Sequence, residues 1–235
     1  MLTAVVFDVD DTIYDQQQPF NAALKKIFPH VLATDYNSLY KNFRFYSDQN
    51  FCKVTANEWT LEQMRSYRIA QSLADLHYPV ISGKMALLFQ ATYEQELEQI
   101  QMPEAIKRSL DFLKANDISL NIITNGPTEH QYKKIQQLNL LHWVDKEHII
   151  VSQETGYEKP DVEIFKLAEK QFGLDPATCL YVGDNFSNDV IGSKKAGWQA
   201  LWFNHRKRQT THAGLQDIEV TEFDAIYPAF QQLFA

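Results

Sequence analysis

Residues 3–12, TAVVFDVDDT, decide how the rest of the chain is read. Ala4, Val5, Val6 and Phe7 form a short continuous apolar run of the kind that makes a buried strand, and three carboxylates, Asp8, Asp10 and Asp11, crowd its end within four residues. Two like charges about 4 Å apart repel by roughly 4 kcal/mol at an effective dielectric of about 20, so the arrangement calls for a nearby cation. Taken alone, the stretch reads equally well as an acidic turn after a buried strand. The later strands separate the two readings.

The bulk composition narrows the function classes. With 235 residues, 45% of them hydrophobic, the chain can bury one large domain or a core domain with a smaller insertion. A formal net charge of −8 opposes binding to a nucleic-acid backbone. The one basic run, HRKR at 205–208, is short, flanked by polar residues, and reads as a solvated loop. No apolar run approaches the roughly 20 residues of a membrane span, and Met1-Leu2 lead into the first strand without a signal-like segment. The expectation is a cytoplasmic protein, monomer or homodimer, that binds neither nucleic acid nor membrane. Cys52 and Cys179 lack CxxC spacing and read as reduced thiols, with Cys179 a small core residue.

Residues 15–95 carry few glycines and several segments of helical period. Phe20, Leu24, Ile27 and Phe28 make one apolar face, Leu61, Met64, Ile69, Leu73 and Leu76 a second, and Met85, Leu88, Phe89 and Leu97 a third. Asn57 or Thr60 can start the second of these helices. From Pro103 onward, helices over 103–116, 127–140, 161–172, 188–196 and 224–234 alternate with strands over 118–124, 148–152, 178–184 and 199–204. That rhythm argues for βαβ units. The fold class is therefore α/β, a Rossmann-like doubly wound parallel sheet over residues 1–14 and 96–235, with an inserted all-helical cap over 15–95.

In an open parallel sheet the ligand site lies beyond the carboxyl ends of the strands. Those ends carry Asp8 and Asp10, then Thr124-Asn125-Gly126, then Gly183-Asp184, and the loop at 156–160 brings Lys159 to the same edge. A carboxylate can act as a covalent nucleophile, and a second carboxyl two residues on can work as acid and base. Oxygen donors with no Cys or His among them suit Mg²⁺. A lysine, a threonine hydroxyl and turn amides such as that of Asn125 can hold phosphoryl oxygens. One acid/base supplies only about 10²–10⁴-fold, whereas hydrolysis of a phosphate monoester needs up to about 10²¹-fold, so the whole constellation is required. The seven histidines show no HExxH pairing and no serine lies in GxSxG.

With DVDDT at 8–12, ITNG ending in a turn after Thr124, Lys159 before Pro160 and GDNFSND at 183–189, the chain resembles the haloacid dehalogenase superfamily. The resemblance is to its phosphatase branch with a helical C1-type cap (subfamily I) inserted after the first motif. It implies Asp8 as nucleophile, Asp10 as general acid/base, and Thr124 and Lys159 as phosphoryl holders. It also implies Mg²⁺ held by the Asp8 carboxylate, the Asp10 backbone carbonyl and Asp184, with Asp189 behind them as a partner of the ion or of Lys159. Asp11 reads as a turn residue. A carboxylate at position 10 argues for phosphate over carbon–halogen chemistry.

The implied activity is a Mg²⁺-dependent phosphatase for a small phosphorylated metabolite, acting through an aspartyl-phosphate. TNGPTEHQ and SQETGYEKPDVEIF are similar to segments of the pyrimidine 5′-nucleotidase-like group, and the aromatic-rich insertion suits a stacked base. A nucleoside 5′-monophosphate is the expected substrate. A sugar-phosphate phosphatase or a phosphomutase on the same core is the alternative, and a non-catalytic phosphate-binding protein is a third reading.

Overall fold

A computed structural model of the chain describes residues 2–212 and 214–234. In chain order the strands and helices are β1 (Ala4–Phe7), α1 (Gln17–Ile27), α2 (Tyr36–Thr55), α3 (Leu61–Asp75), α4 (Gly83–Leu97), α5 (Glu104–Ala115), β2 (Ser119–Thr124), α6 (Thr128–Gln137), β3 (Ile149–Val151), the single turn α7 (Ser152–Thr155), α8 (Val162–Phe172), β4 (Cys179–Gly183), α9 (Gly192–Lys195), β5 (Gln199–Phe203), β6 (Ile218–Val220) and α10 (Phe223–Leu233). The chain divides into two compact units, Met1–Asp15 with Gln101–Ala235, and Gln16–Ile100.

The first unit holds one six-stranded, wholly parallel sheet in the order β3-β2-β1-β4-β5-β6. The order reverses at β1, whose two sides pair with β2 and β4 in register: Phe7 lies opposite both Ile122 and Val182. In an open parallel sheet the ligand crevice lies at that reversal. Buried on both faces, β1 and β4 lack alternation; every residue of AVVF and CLYVG is buried. One core layer joins Val6, Ile123, Ile150, Phe165, Tyr181 and Trp198. This is the α/β doubly wound sheet that the alternating pattern predicts. The strand β6 is missing from that reading, since three residues with Glu219 exposed give no periodicity to detect.

The second unit is all helical. Thr60 is the N-cap of α3, its hydroxyl accepting from Gln63 N at 3.1 Å while Gln63 Oε1 accepts from Thr60 N at 2.7 Å, a complete capping box. Its core joins Phe20, Phe28, Phe43, Ile69, Leu73 and Phe89, so aromatic–aromatic packing supplies much of the burial. The expected apolar face of α4 needs a correction: Leu88 is exposed, and Ala86, Phe89, Gln90, Thr92 and Tyr93 are the buried residues. Gln90 goes inward because its Oε1 accepts from the buried Arg68 at 2.9 Å. Among the described residues no helix is long and apolar enough to cross a membrane.

Candidate active site

The strand ends bring Asp8, Asp184, Asp189 and Lys159 together. One carboxylate oxygen from each of Asp8, Asp184 and Asp189 lies within 4.8 Å of the others, and all three residues are buried. Asp8 follows β1 and its N–H donates to Val182 O at 2.9 Å, continuing the ladder one residue beyond the strand. Lys159 Nζ reaches Asp8 Oδ1 at 2.7 Å, Asp189 Oδ1 at 2.7 Å and Tyr181 Oη at 2.8 Å. Tyr181 Oη in turn donates to Ile123 O at 2.9 Å. Burial opposes the charge on Lys159, yet Asp189 and Asp8 outweigh it and hold the ammonium well above its usual range. Burial pushes the Asp8 carboxyl up to about 7, against the pull of Lys159.

Asp189 comes from a turn of π-helix, Phe186–Ile191, which starts at Asn185 and runs directly into α9. A wide turn of this kind frequently marks a functional site. Its Oδ2 accepts from Asn185 N at 2.9 Å, so both oxygens are engaged by the protein. Gly183 makes room for it: a Cβ there would stand 2.3 Å from Asp189 Oδ2.

Thr124 ends β2 fully buried, and its hydroxyl has no hydrogen-bond partner among the described residues. A buried hydroxyl left unpaired costs about 1–3 kcal/mol, which a bound oxyanion would remove. Asn125 departs from the role of phosphate holder as far as its side chain is concerned. Its Nδ2 donates to Lys159 O and its Oδ1 accepts from Lys159 N, both at 2.9 Å, so the amide clips the lysine's backbone in place.

Asp10 is positioned by residues absent from the sequence reading. Lys134 Nζ lies 2.6 Å from each of its oxygens, Tyr14 Oη donates at 2.6 Å and Gln131 Nε2 at 2.9 Å. Burial opposes ionisation, but the Lys134 charge and these hydrogen bonds bring the carboxyl down to about 2. The available signal was on α6: Gln131, Lys134 and Ile135 share one face, and Gln131 is buried while Tyr132 is only half-buried.

The basic run is also corrected. His205 and Arg206 turn inward, where Arg206 pairs with Asp11 at 2.7 Å and with Asp15 and His205 Nε2 meets Asp11 O at 2.8 Å, while Arg208 stays exposed but reaches Asp184, its Nη1 2.5 Å from Oδ2. Asp11 adopts the turn conformation expected of it, at φ 58°, and the Arg206 and Arg208 charges compensate its burial. Counter-charges supplied from 190 residues away leave no local pattern in the sequence.

The arrangement fits a divalent cation. Its donors are hard carboxylate oxygens with no Cys or His. Burial keeps the Asp184 carboxyl well above its ordinary range despite Arg208, as it does that of Asp8 despite Lys159, so the negative charge is incompletely compensated by the protein alone.

Known proteins align along the same frame. A glyceraldehyde 3-phosphate phosphatase of Methanothermobacter thermautotrophicus is 28% identical over 239 residues, covering 96% of this chain and 97% of its own. A ribulose-1,5-bisphosphate 5-phosphatase of Halopiger xanaduensis is 25% identical over 206 residues, 87% of this chain and 85% of its own. The magnesium-bound crystal structure of the HAD-hydrolase YfnB from Bacillus subtilis shares the fold with a TM-score of 0.68 and 24% identity, over 97% of this chain and 98% of that one. The family model described as haloacid dehalogenase-like hydrolase matches residues 2–197, from the first strand to the turn after α9. The chain belongs to the haloacid dehalogenase-like hydrolases.

Proposed function

We propose that the protein is a phosphoric monoester hydrolase acting on a small sugar phosphate. The observation that carries this reading is the buried set of Asp8, Lys159 and the unpaired Thr124 hydroxyl at the ends of β1 and β2. In this reading Asp8 attacks phosphorus, forming an aspartyl-phosphate, and Asp10 protonates the departing alcohol oxygen, then takes a proton from the water that releases phosphate. Lys159 and Thr124 bind equatorial phosphoryl oxygens, where charge accumulates in the transition state. The Asp8 and Asp184 carboxylates and the Asp10 carbonyl would hold Mg²⁺, which when bound would offset carboxylate charge and stabilise phosphoryl oxygens. Asp189 keeps Lys159 in place and charged.

The expected substrate shifts from nucleotide to sugar phosphate. Relatives that align over most of the chain carry glyceraldehyde 3-phosphate and ribulose bisphosphate in their names. The aromatics of the insertion that suggested base stacking are accounted for in part by its own core.

The test is a panel of glyceraldehyde 3-phosphate, glycerol 3-phosphate, ribose 5-phosphate and nucleoside monophosphates, ranked by kcat/KM in magnesium buffer with parent and Asp8→Asn enzyme. Sugar phosphates are expected to lead and Asp8→Asn to abolish turnover. A panel led by nucleotides would overturn the substrate class, and an active Asp8→Asn enzyme would overturn the nucleophile.

A further inference from the structure

The carboxylate motif assigns Asp10 a task without saying what holds it ready. A carboxylate offers about four lone-pair positions. Here Oδ1 accepts from Tyr14 Oη and Lys134 Nζ, and Oδ2 from Gln131 Nε2 and Lys134 Nζ. The plane of the carboxyl group is thus fixed from one side. Gln131 and Lys134 stand one turn apart on α6, and Gln131 Nε2 also reaches Asn125 O at 2.9 Å. One helix face thereby ties Asp10 to the turn after β2. The Lys134 side chain is 21% exposed and that of Asp10 22%, unlike the solvated pairs that contribute about 0–1 kcal/mol.

We propose that Lys134 is a positioning residue for Asp10, holding the carboxyl group in the orientation from which it passes a proton to the leaving group. This rests on the phosphatase reading above. In the first transfer a bond forms between Asp8 Oδ and phosphorus, and the ester P–O bond breaks. Its electron pair stays on the leaving oxygen, and Asp10 relays to that oxygen a proton taken up from the phosphate ester or from water as substrate binds. Asp10 is the carboxylate before and after this relay, and Lys134, bonded to both of its oxygens, keeps it in the orientation the relay needs. The gain depends on the leaving group. An alkyl alcohol is a poor leaving group without a proton, whereas p-nitrophenol departs as a stable anion.

The experiment measures kcat/KM, which reports the steps through this first transfer, for the alkyl phosphates of the panel above and for p-nitrophenyl phosphate. Lys134→Met and Lys134→Arg are made in the parent and in the Asp10→Asn enzyme, with circular dichroism as the check on folding. Lys134→Met is expected to lower alkyl phosphate turnover by about 10–10²-fold, a share of the roughly 10²–10⁴-fold an acid/base supplies, and to change p-nitrophenyl phosphate by less than about threefold. Lys134→Arg should recover most of the loss, and in Asp10→Asn the Met substitution should cost almost nothing further. Equal losses on both substrate types, or an undiminished loss when Asp10 is already Asn, would make Lys134 a structural residue and overturn the proposal. If Asp10→Asn itself fails to discriminate between the substrates, the acid/base reading falls. If it discriminates and Lys134→Met does not, only the present inference falls.

Discussion

Lys159→Met removes the cation from between two buried carboxylates while keeping much of the side chain's volume. Lys159 Nζ lies 2.7 Å from Asp8 Oδ1 and 2.7 Å from Asp189 Oδ1, and the lysine and Asp189 side chains are each 2% exposed. Breaking a buried pair on one side costs about 3–5 kcal/mol, because the remaining charge is left uncompensated. Proton uptake reduces that cost at low pH, which sets its sign. The Asp8 carboxyl already stands at about 7, lifted by burial and restrained chiefly by the Lys159 charge; removing the charge lifts it further. A carboxyl whose folded pKa exceeds its unfolded value favours the folded state below the unfolded value, near pH 4, and loses that advantage as pH rises toward the folded one. Above pH 7, where the parent's Asp8 loses its proton and the variant's keeps it, the folded variant holds one proton more and its deficit grows by about 1.4 kcal/mol per pH unit. A deficit of about 1 kcal/mol at pH 7 should therefore become about 3 kcal/mol at pH 9, roughly a 10 °C fall in Tm for a chain of this size. Urea unfolding of both proteins in chelator at the two pH values measures it. A deficit that is the same at pH 7 and pH 9, or under about 1 kcal/mol at pH 9, would refute the view that Lys159 neutralises buried carboxylates.

Gly183→Ala would place a methyl group 2.3 Å from Asp189 Oδ2. Displacing that carboxylate should loosen Lys159, lowering kcat by about 10²-fold and stability by about 1–3 kcal/mol; an alanine variant with parental activity and urea midpoint would show that the crowding is harmless. Asp10, held at about 2 by Lys134, Tyr14 and Gln131 against burial, contributes about 2 kcal/mol of stability that is present above pH 4 and lost as pH falls toward 2. Urea unfolding between pH 5 and pH 2.5 should show that decline in the parent and a flatter one in Lys134→Met, and parallel curves would contradict it.

Local features of the chain made the frame legible. The run AVVF, the strand pattern before Thr124 and the run CLYVG are buried strands whatever surrounds them, since apolar residues of that length between turn signals have few other solutions. Asp8, Asp10, Thr124, Lys159 and Asp184 stood out because each ends or follows such a run, and a parallel sheet brings the carboxyl ends of its strands to one edge. Thr60 carried its own signal in the capping box.

What the sequence determined by itself was the alternating architecture and the chemical character of the strand ends, both properties of short segments. Only the tertiary structure decided how the crowded carboxylates are compensated. Lys134 reaches Asp10 across 124 residues of sequence and Arg206 reaches Asp11 across 195. The Asn125 amide closes on the backbone of Lys159, and Gly183 yields its side-chain volume to Asp189. The physical reason is that ion pairs and steric allowances depend on distance in space. Periodicity and propensity report only neighbours along the chain, so TAVVFDVDDT could announce the need for cations and could not say which residues supply them.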